Sequence, residues 1–390
     1  MFRTFLYPLY PTTAQEAEFE RILYGCQQLY NACLEQRIEE YRKRGKSPSR
    51  YDQQKDLTNL RKEDAFFGSI GVGVLRSAVS RLDKAYQTFF RRVKKGETPG
   101  FPRFKGKGRY DSFDWPEPVI RGNQVLVPRL GKIRFNLYRP LKGVPKAAVV
   151  ERKTGKWFLS VQCDLGPAPT KLAVVDEAKT TGIDLGLTTF ATLSNGEEIG
   201  NPRFLRTSEK KLAERQRKLS RKQRGSKSRQ RAKLLVAKMY EHISNSRLDF
   251  ARKLAKNLFS RFDLVGFEEL NIQKMTRESR LSKSINDVAW GVFTRCLTCK
   301  AEEAGKWAVG VNPSGTSQDC SRCNEKVPKE LSVRTHDCPK CGLVLGRDHN
   351  AAQNVLQRAL GLSAVNSGPQ VRTCGNPAEV QFRTKPRKVG

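Results

Sequence analysis

At 390 residues the chain can bury a sizeable core, and length alone suggests two or three domains. Its 73 Lys and Arg against 39 Asp and Glu give a formal charge of +34, an excess that implies a large polyanionic partner. Nucleic acid leads and a membrane surface competes. No apolar run approaches the length of a transmembrane helix, and residues 1–8 lack the apolar core of a signal peptide. The expected setting is therefore a reducing cytosol, with the ten cysteines as thiols or metal ligands rather than a disulfide frame.

Residues 2–7 alternate as a strand that Pro8 and Pro11 should end. Thr13 with Glu16 reads as a capping box. Phe19, Ile22, Leu23, Cys26, Tyr30, Cys33, Leu34 and Tyr41 then recur at helical spacing, which makes Cys26 and Cys33 core residues. A second helix is predicted over 73–94, with Leu75, Val79, Leu82, Tyr86, Phe89 and Val93 inward. Arg76, Arg81, Lys84, Arg91 and Arg92 fall between them on a face of one sign. Composition changes at Gly96. The segment 99–110, with Phe101, Arg103, Phe104 and Lys105, interleaves aromatics and cations: it either stacks on bases while following phosphates or is a basic loop anchored by its Phe residues. Strand signals follow at 124–128, 132–137, 147–152 and 157–163, with a hairpin turn at Thr154-Gly155. Together with residues 2–7 they suggest a small β-domain carrying the two helices as an insertion, with Pro167 and Pro169 as its exit.

From residue 181 the pattern becomes α/β. Residues 181–189 read as a short buried strand with Asp184 inside an apolar run. An acid there is costly unless paired, commonly by a divalent metal, although an Asp at a strand end is ordinarily a turn or cap residue. The flanking Gly182 and Gly186 allow a backbone or a phosphate to come close. A hairpin turn at Asn195-Gly196 leads to a third short strand. In 209–233 twelve Lys and Arg, among them Arg217, Lys218, Arg221, Lys222 and Arg224, are opposed only by Glu209 and Glu214, which favours a nucleic-acid groove over a solvated charge block. A helix is predicted over 234–259. The strand 262–270 delivers Glu268 and Glu269, of which alternation lets only one share a face with Val265 or Gly266. An amphipathic helix over 286–305, a cysteine-rich loop after Pro313, a last helix over 348–360 and a poorly ordered tail over 363–390 complete the reading.

Cys320-x-x-Cys323 and Cys338-x-x-Cys341 are two knuckles, and together they offer four thiolates to one structural Zn²⁺; a redox dithiol is the alternative. Cys296 and Cys299 repeat the spacing inside the 286–305 helix and read as packing residues. His336 could compete for the zinc, and His242 suits a surface or phosphate contact. Asp348 opens the last helix, where an N-cap is the ordinary role. With Asp184 and Glu268 it forms a set of acids at a strand centre, a strand end and a helix start. Brought together, they would call for cations, and two Mg²⁺ ions about 3.5–4 Å apart would organise attack of water on a phosphodiester.

Gly182-Ile183-Asp184-Leu185-Gly186, Glu268-Glu269-Leu270-Asn271, the Thr316–Cys323 knuckle and Asp348-His349-Asn350-Ala351-Ala352 resemble TnpB, the transposon-encoded RNA-guided nucleases related to type V CRISPR effectors. The resemblance extends to Gly100–Lys105 and Gln216–Arg221, and so covers nearly the whole chain. It implies a multidomain α+β protein: an RNase H-like (RuvC) α/β nuclease domain over 171–312 and 343–362, with a zinc ribbon inserted over 313–342. It further implies a β-barrel-like wedge domain over 1–10 and 97–170, carrying a helical recognition insertion over 11–96. Asp184, Glu268 and Asp348 match the catalytic triad that holds the Mg²⁺ pair. The implied partners are a guide RNA and target double-stranded DNA, in the nucleoid of a prokaryotic cell, with no membrane. Gly346 departs from the family, which often has an acid there. A non-cutting RNA-guided regulator and a guide-independent resolvase or transposase are the alternatives. The three acids speak against the first, and co-purification of a defined RNA would speak against the second.

Overall fold

The first strand, β1 (Phe2–Tyr10), runs straight through Pro8 in a computed structural model of the chain. The Pro8 carbonyl accepts from the Asn136 N–H at 2.8 Å, so the missing N–H of Pro8 faces a side where pairing begins only at Leu9 with Phe135. The ladder on the other side, to residues 156–164, loses no bond, and the proline is tolerated. The structure describes residues 1–172, 174–278, 281–330 and 332–365, without side chains for 362–365. These fall into two units that divide between Pro167 and Ala168.

In the first unit, helix α1 (Thr13–Arg44) opens one residue earlier than predicted. Thr12 is the extended residue; its hydroxyl accepts from the Gln15 N–H, and the Gln15 side chain accepts from the Thr12 N–H. Tyr41 is 64% exposed, beyond the core that buries Phe19, Ile22, Leu23, Cys26, Tyr30, Cys33 and Leu34. Helices α2 (Arg50–Glu63) and α3 (Ala65–Ser69) were not legible, because α2 buries only Gln53 and Leu57 and so has almost no apolar stripe. Helix α4 (Val72–Lys94) faces the core with Leu75, Val79, Leu82 and Tyr86, while Val93 is exposed. Arg81 leaves the solvent face: its Nε donates to Asp114 at 2.9 Å. The strands are β2 (Ser112–Pro116), β3 (Ile120–Arg121), β4 (Gln124–Val127), β5 (Gly131–Phe135), β6 (Val144–Lys153) and β7 (Lys156–Asp164). They join β1 in an antiparallel sheet ordered β2-β6-β7-β1-β5-β4-β3, an open ladder that ends at β2 and β3. Thr154 and Gly155 both have positive φ, as a two-residue hairpin turn between β6 and β7 requires.

The second unit is built on a five-stranded sheet. It consists of β8 (Thr180–Leu185), β9 (Thr189–Leu193), β10 (Glu198–Gly200), β11 (Leu264–Glu268) and β12 (Trp307–Val311), in the order β10-β9-β8-β11-β12. Strands β8, β11 and β12 are parallel, and β9 runs antiparallel to both β8 and β10. Parallel neighbours need long crossovers. The first is a helical hairpin, α5 (Phe204–Ser220) and α6 (Lys227–Arg261), so much of the basic stretch is helix. Its few apolar residues carried the signal: Leu205, Leu212 and Leu219 recur every seven residues and pack on Val236, Met239 and Ile243. The second crossover holds α7 (Ile272–Glu278), α8 (Ser282–Val288) and α9 (Trp290–Ala304). The single helix predicted over 286–305 breaks at Ala289, whose φ is +57°. Just before the break, buried Asp287 accepts from the Leu205 N–H at the start of α5 and from Arg247 of α6, both at 2.8 Å. A small hairpin, β13 (Thr335–Asp337) and β14 (Val344–Gly346), leads into α10 (Arg347–Val365). Helices α6 and α9 cover one face of the sheet and α10 the other. Of the tail predicted over 363–390, residues 363–365 continue α10, and the remainder lies outside the described residues.

Candidate active site and metal centre

Two glycines set the geometry. Gly182 and Gly266 are register partners on β8 and β11. A Cβ on Gly182 would lie 2.2 Å from the Ala352 carbonyl oxygen, and one on Gly266 would lie 2.7 Å from the Ala359 Cβ. What comes close to this strand is therefore the backbone of α10. Alternation then puts Asp184 and Glu268, two residues farther along each strand, on the same α10-facing side. Asp348 lies one helical turn before Ala352. The three predicted acids meet at the carboxyl end of the parallel strands, against the first turn of α10.

The two strand acids are held in unlike ways from the third. Burial, reinforced by the charges of Glu268 and Asp348, pushes the Asp184 carboxyl up to about 8, against a partial counter-effect from Arg347. Burial also raises Glu268, opposed by a hydrogen bond from Thr316 and by the charge of Arg358. Of the neighbouring pair, Glu268 is buried and Glu269 exposed, the choice that alternation left open. Asp348 is turned toward cations, 3.3 Å from Arg347 Nε and 3.8 Å from Arg334 Nη1. Carboxylates that share a site and resist ionising are a donor set for a hard cation such as Mg²⁺, so the residues fit that ion.

Cys320, Cys323, Cys338 and Cys341 converge so that their sulfurs lie within 4.8 Å of one another, and among the described residues they are the one such group of three or more potential metal ligands. The carboxylates are more widely spaced than that. Both knuckles fold alike. After each Cys-x-x-Cys pair a residue of positive φ, Asn324 or Gly342, donates its N–H to the carbonyl of the first cysteine, Cys320 or Cys338, at 2.9 Å. Backbone N–H groups of Cys341 and Lys340 draw the Cys338 thiol down, while the neighbouring sulfurs push Cys323 up, as expected of thiols crowded together without a cation between them. Four soft donors at this spacing fit Zn²⁺. His336 is buried against Lys329 and stands outside the sulfur group. Cys296 is buried on α9 and Cys299 half-buried, consistent with packing roles.

The link between cysteines and carboxylates escaped the sequence reading. Helix α10 presents a row of polar side chains to the loop ahead of the first knuckle. Asn350 accepts from the Ser321 N–H at 3.0 Å and donates to the Asp319 carbonyl; Asn354 donates to the carbonyls of Thr316 and Asp319. Arg358 donates to the carbonyls of Asn312 and Ser314 and to the Asp319 carboxylate. Asn350, Asn354 and Arg358 recur every four residues, so a polar stripe on a mostly apolar helix was the available signal.

The predicted nucleic-acid contacts fall in two places. Arg103 and Phe104 are exposed, whereas Lys105 is held through its backbone by Asn31 and lies over the Tyr30 ring. Phe101 packs edge-on against Tyr86 and Phe89, so it is both anchor and surface. Arg217, Lys218, Arg221, Lys222 and Arg224 are all exposed where α5 bends toward α6, and Lys218 pairs with Glu214 at 2.7 Å. A groove of about 600 Å³ along α6, lined by Phe204, Phe250, Lys253 and Asn257, contains none of the three acids.

The class is thus a multidomain mixed α/β protein whose second unit joins a carboxylate-bearing sheet to a four-cysteine knuckle. The chain belongs to the TnpB family. Residues 160–279 match the OrfB_IS605 family, described as "Probable transposase", and residues 290–355 match "Cas12f1-like, TNB domain". Residues 1–46 match a family described as a helix-turn-helix domain, although here they form strand β1 and the single long helix α1. The chain is 32% identical over 389 residues to a "Putative RNA-guided DNA endonuclease" of Streptomyces pristinaespiralis, covering 94% of this chain and 91% of that one. It is 28% identical over 400 residues to the "Putative RNA-guided DNA endonuclease InsQ" of Escherichia coli K12, covering 96% of each. Its fold is similar to Cas12f1 as solved in a complex with guide RNA and target DNA, with a TM-score of 0.58 at 15% identity over 88% of this chain and 83% of that one. Among the described residues no helix is long and apolar enough to cross a membrane.

Proposed function

We propose that this protein is an RNA-guided, Mg²⁺-dependent DNA endonuclease of an insertion sequence, cutting double-stranded DNA that pairs with a bound guide RNA beside a short adjacent motif. The observation that carries the reading is the convergence of Asp184, Glu268 and Asp348 at one end of the sheet, with Asp184 and Glu268 resisting ionisation there. The names of the full-length relatives support it. On this reading the second unit is an RNase H-like, RuvC-type nuclease domain with an inserted zinc ribbon. The β-sheet and helices of the first unit are the wedge and recognition lobes.

Asp184, Glu268 and Asp348 would hold two Mg²⁺ ions. When bound, the ions would supply positive charge against a phosphodiester and would make a bound water more acidic. The protein's own part is to orient the three carboxylates and to hold Asp184 where burial favours its protonated form until a cation offsets the charge. Exposed cations of the α5–α6 bend and Arg103 would track phosphates, while base pairing with the guide reads sequence. The test is expression together with the native downstream DNA, sequencing of the bound RNA, and a plasmid carrying the matching target in Mg²⁺. The wild type should cut, and Asp184→Ala should bind without cutting. Equal cutting by both removes the assignment.

A further inference from the structure

Glu268 is the acid of the three with the longest side chain, and in a buried pocket it needs a partner to fix it. That partner is Thr316. The Thr316 hydroxyl donates to Glu268 Oε1 at 2.6 Å, and both residues are buried, at 2% and 6% exposure. The hydroxyl also lies 2.9 Å from the Pro313 carbonyl, but it has one proton, and the Glu268 oxygen at 2.6 Å is the nearer acceptor. Thr316 is itself immobilised from two sides. Its carbonyl accepts from Asn354 of α10 at 2.9 Å, and the turn that carries it is closed by the Gln318 and Asp319 N–H groups on the Gly315 carbonyl. Four residues later the same turn delivers Cys320 to the sulfur cluster.

We infer that Thr316 is a positioning residue for Glu268, held in that role by Asn354 of α10 and by its own turn on the Gly315 carbonyl. The inference rests on the nuclease reading for its consequence in cleavage, though not for its consequence in cation binding. A hydrogen bond of this kind fixes the rotamer of a carboxylate before the cation arrives; removing such a partner typically costs 10–100-fold in metal affinity. Valine has nearly the shape of threonine without the hydroxyl, and serine keeps the hydroxyl with less bulk.

The test compares wild type, Thr316→Val, Thr316→Ser and Glu268→Gln as full-length, zinc-loaded chains freed of nucleic acid. Mn²⁺ binding is followed by loss of the free-ion paramagnetic resonance signal, and cleavage is measured separately after guide RNA is restored. Thr316→Val should bind Mn²⁺ roughly 10-fold or more weakly and need correspondingly more Mg²⁺ for cleavage, while Thr316→Ser recovers most of both. Zinc content and melting temperature, measured in parallel, identify a variant that has not folded, and Thr316→Ala, which also lacks the hydroxyl, then takes the place of Thr316→Val. Wild-type Mn²⁺ affinity in Thr316→Val overturns the inference, as does equal loss in Val and Ser. If Glu268→Gln cuts normally, the nuclease reading fails separately, and the Mn²⁺ arm still judges Thr316.

Discussion

Gly182 and Gly266 face each other across two parallel strands, and together they make the trough in which α10 lies. The closeness of that helix brings Asp348 to Asp184, so the site depends on two residues with no side chain. Gly182→Ala would place a methyl carbon 2.2 Å from the Ala352 carbonyl and 2.4 Å from the Leu356 nitrogen, backbone atoms that cannot step aside. Overpacking costs roughly 1–3 kcal/mol, and this substitution belongs at or above the upper end. Its melting temperature should fall by about 2–4 °C for each kcal/mol of destabilisation. Gly266→Ala meets the Ala359 Cβ at 2.7 Å, an atom as fixed as the helix backbone, and should cost less only because the overlap is shallower. An unshifted Gly182→Ala melting curve would show that α10 does not lie so close.

Asp184 yields a pH prediction with a definite sign. Its folded-state pKa of about 8 lies above the ordinary value of 3.8, so between those values the metal-free folded state holds a proton that the unfolded chain has lost. Metal-free stability therefore declines as pH rises from about 4 to about 8, by up to roughly 1.4 kcal/mol per unit from this group. Asp184→Asn lacks that decline. Without divalent ions it should melt above wild type, by a margin that widens toward pH 8. Saturating Mg²⁺ should reverse the order, because only wild type keeps the full carboxylate set. Thermal melts at pH 5, 6.5 and 8, with and without Mg²⁺, check both halves.

How much of this was legible turns on whether a residue's role is local. The strands holding Asp184 and Glu268 announced themselves as apolar runs, and the knuckles by spacing, because each motif is complete within a few residues. Helix α2 has almost no signal since its burial rests on Gln53 and Leu57, and the helices of the basic α5–α6 hairpin before residue 234 are masked because charge hides a seven-residue leucine seam. The break at Ala289 has no signal in the sequence, where an alanine of positive φ is not expected. Thr316 stands in the knuckle motif, but its pairing with Glu268 has no sequence signal, since the two are 48 residues apart.

Removing the metal from the cysteine cluster should disturb more than the loop that contains it. Chelation or Cys338→Ser should abolish zinc binding and lower the melting temperature, because the segment has few buried apolar residues beyond Leu343 and the cysteines themselves. Cys296→Ala is the control: its thiol packs on α9, so zinc content should stay at one per chain. Metal analysis of the purified variants reads both. Undiminished zinc in Cys338→Ser would contradict the four-thiolate assignment.

The exposed cations at the α5–α6 bend should act through salt-dependent binding and not through stability. Changing Arg217, Lys218, Arg221, Lys222 and Arg224 to Gln removes charges that point to solvent, so the melting temperature should hardly move. Nucleic-acid affinity should fall, and the slope of log affinity against log salt should flatten by about 0.7–0.9 for each phosphate that is no longer neutralised. Lys218 already pairs with Glu214, which leaves about four phosphates affected and a flattening of about 3. Arg229 provides the contrast. It donates to the carbonyls of Leu219 and Lys222 and closes the bend, so Arg229→Gln should lower the melting temperature as well. Filter binding at several salt concentrations measures the slopes. A wild-type slope in the fivefold variant would mean that the polyanion lies along another face.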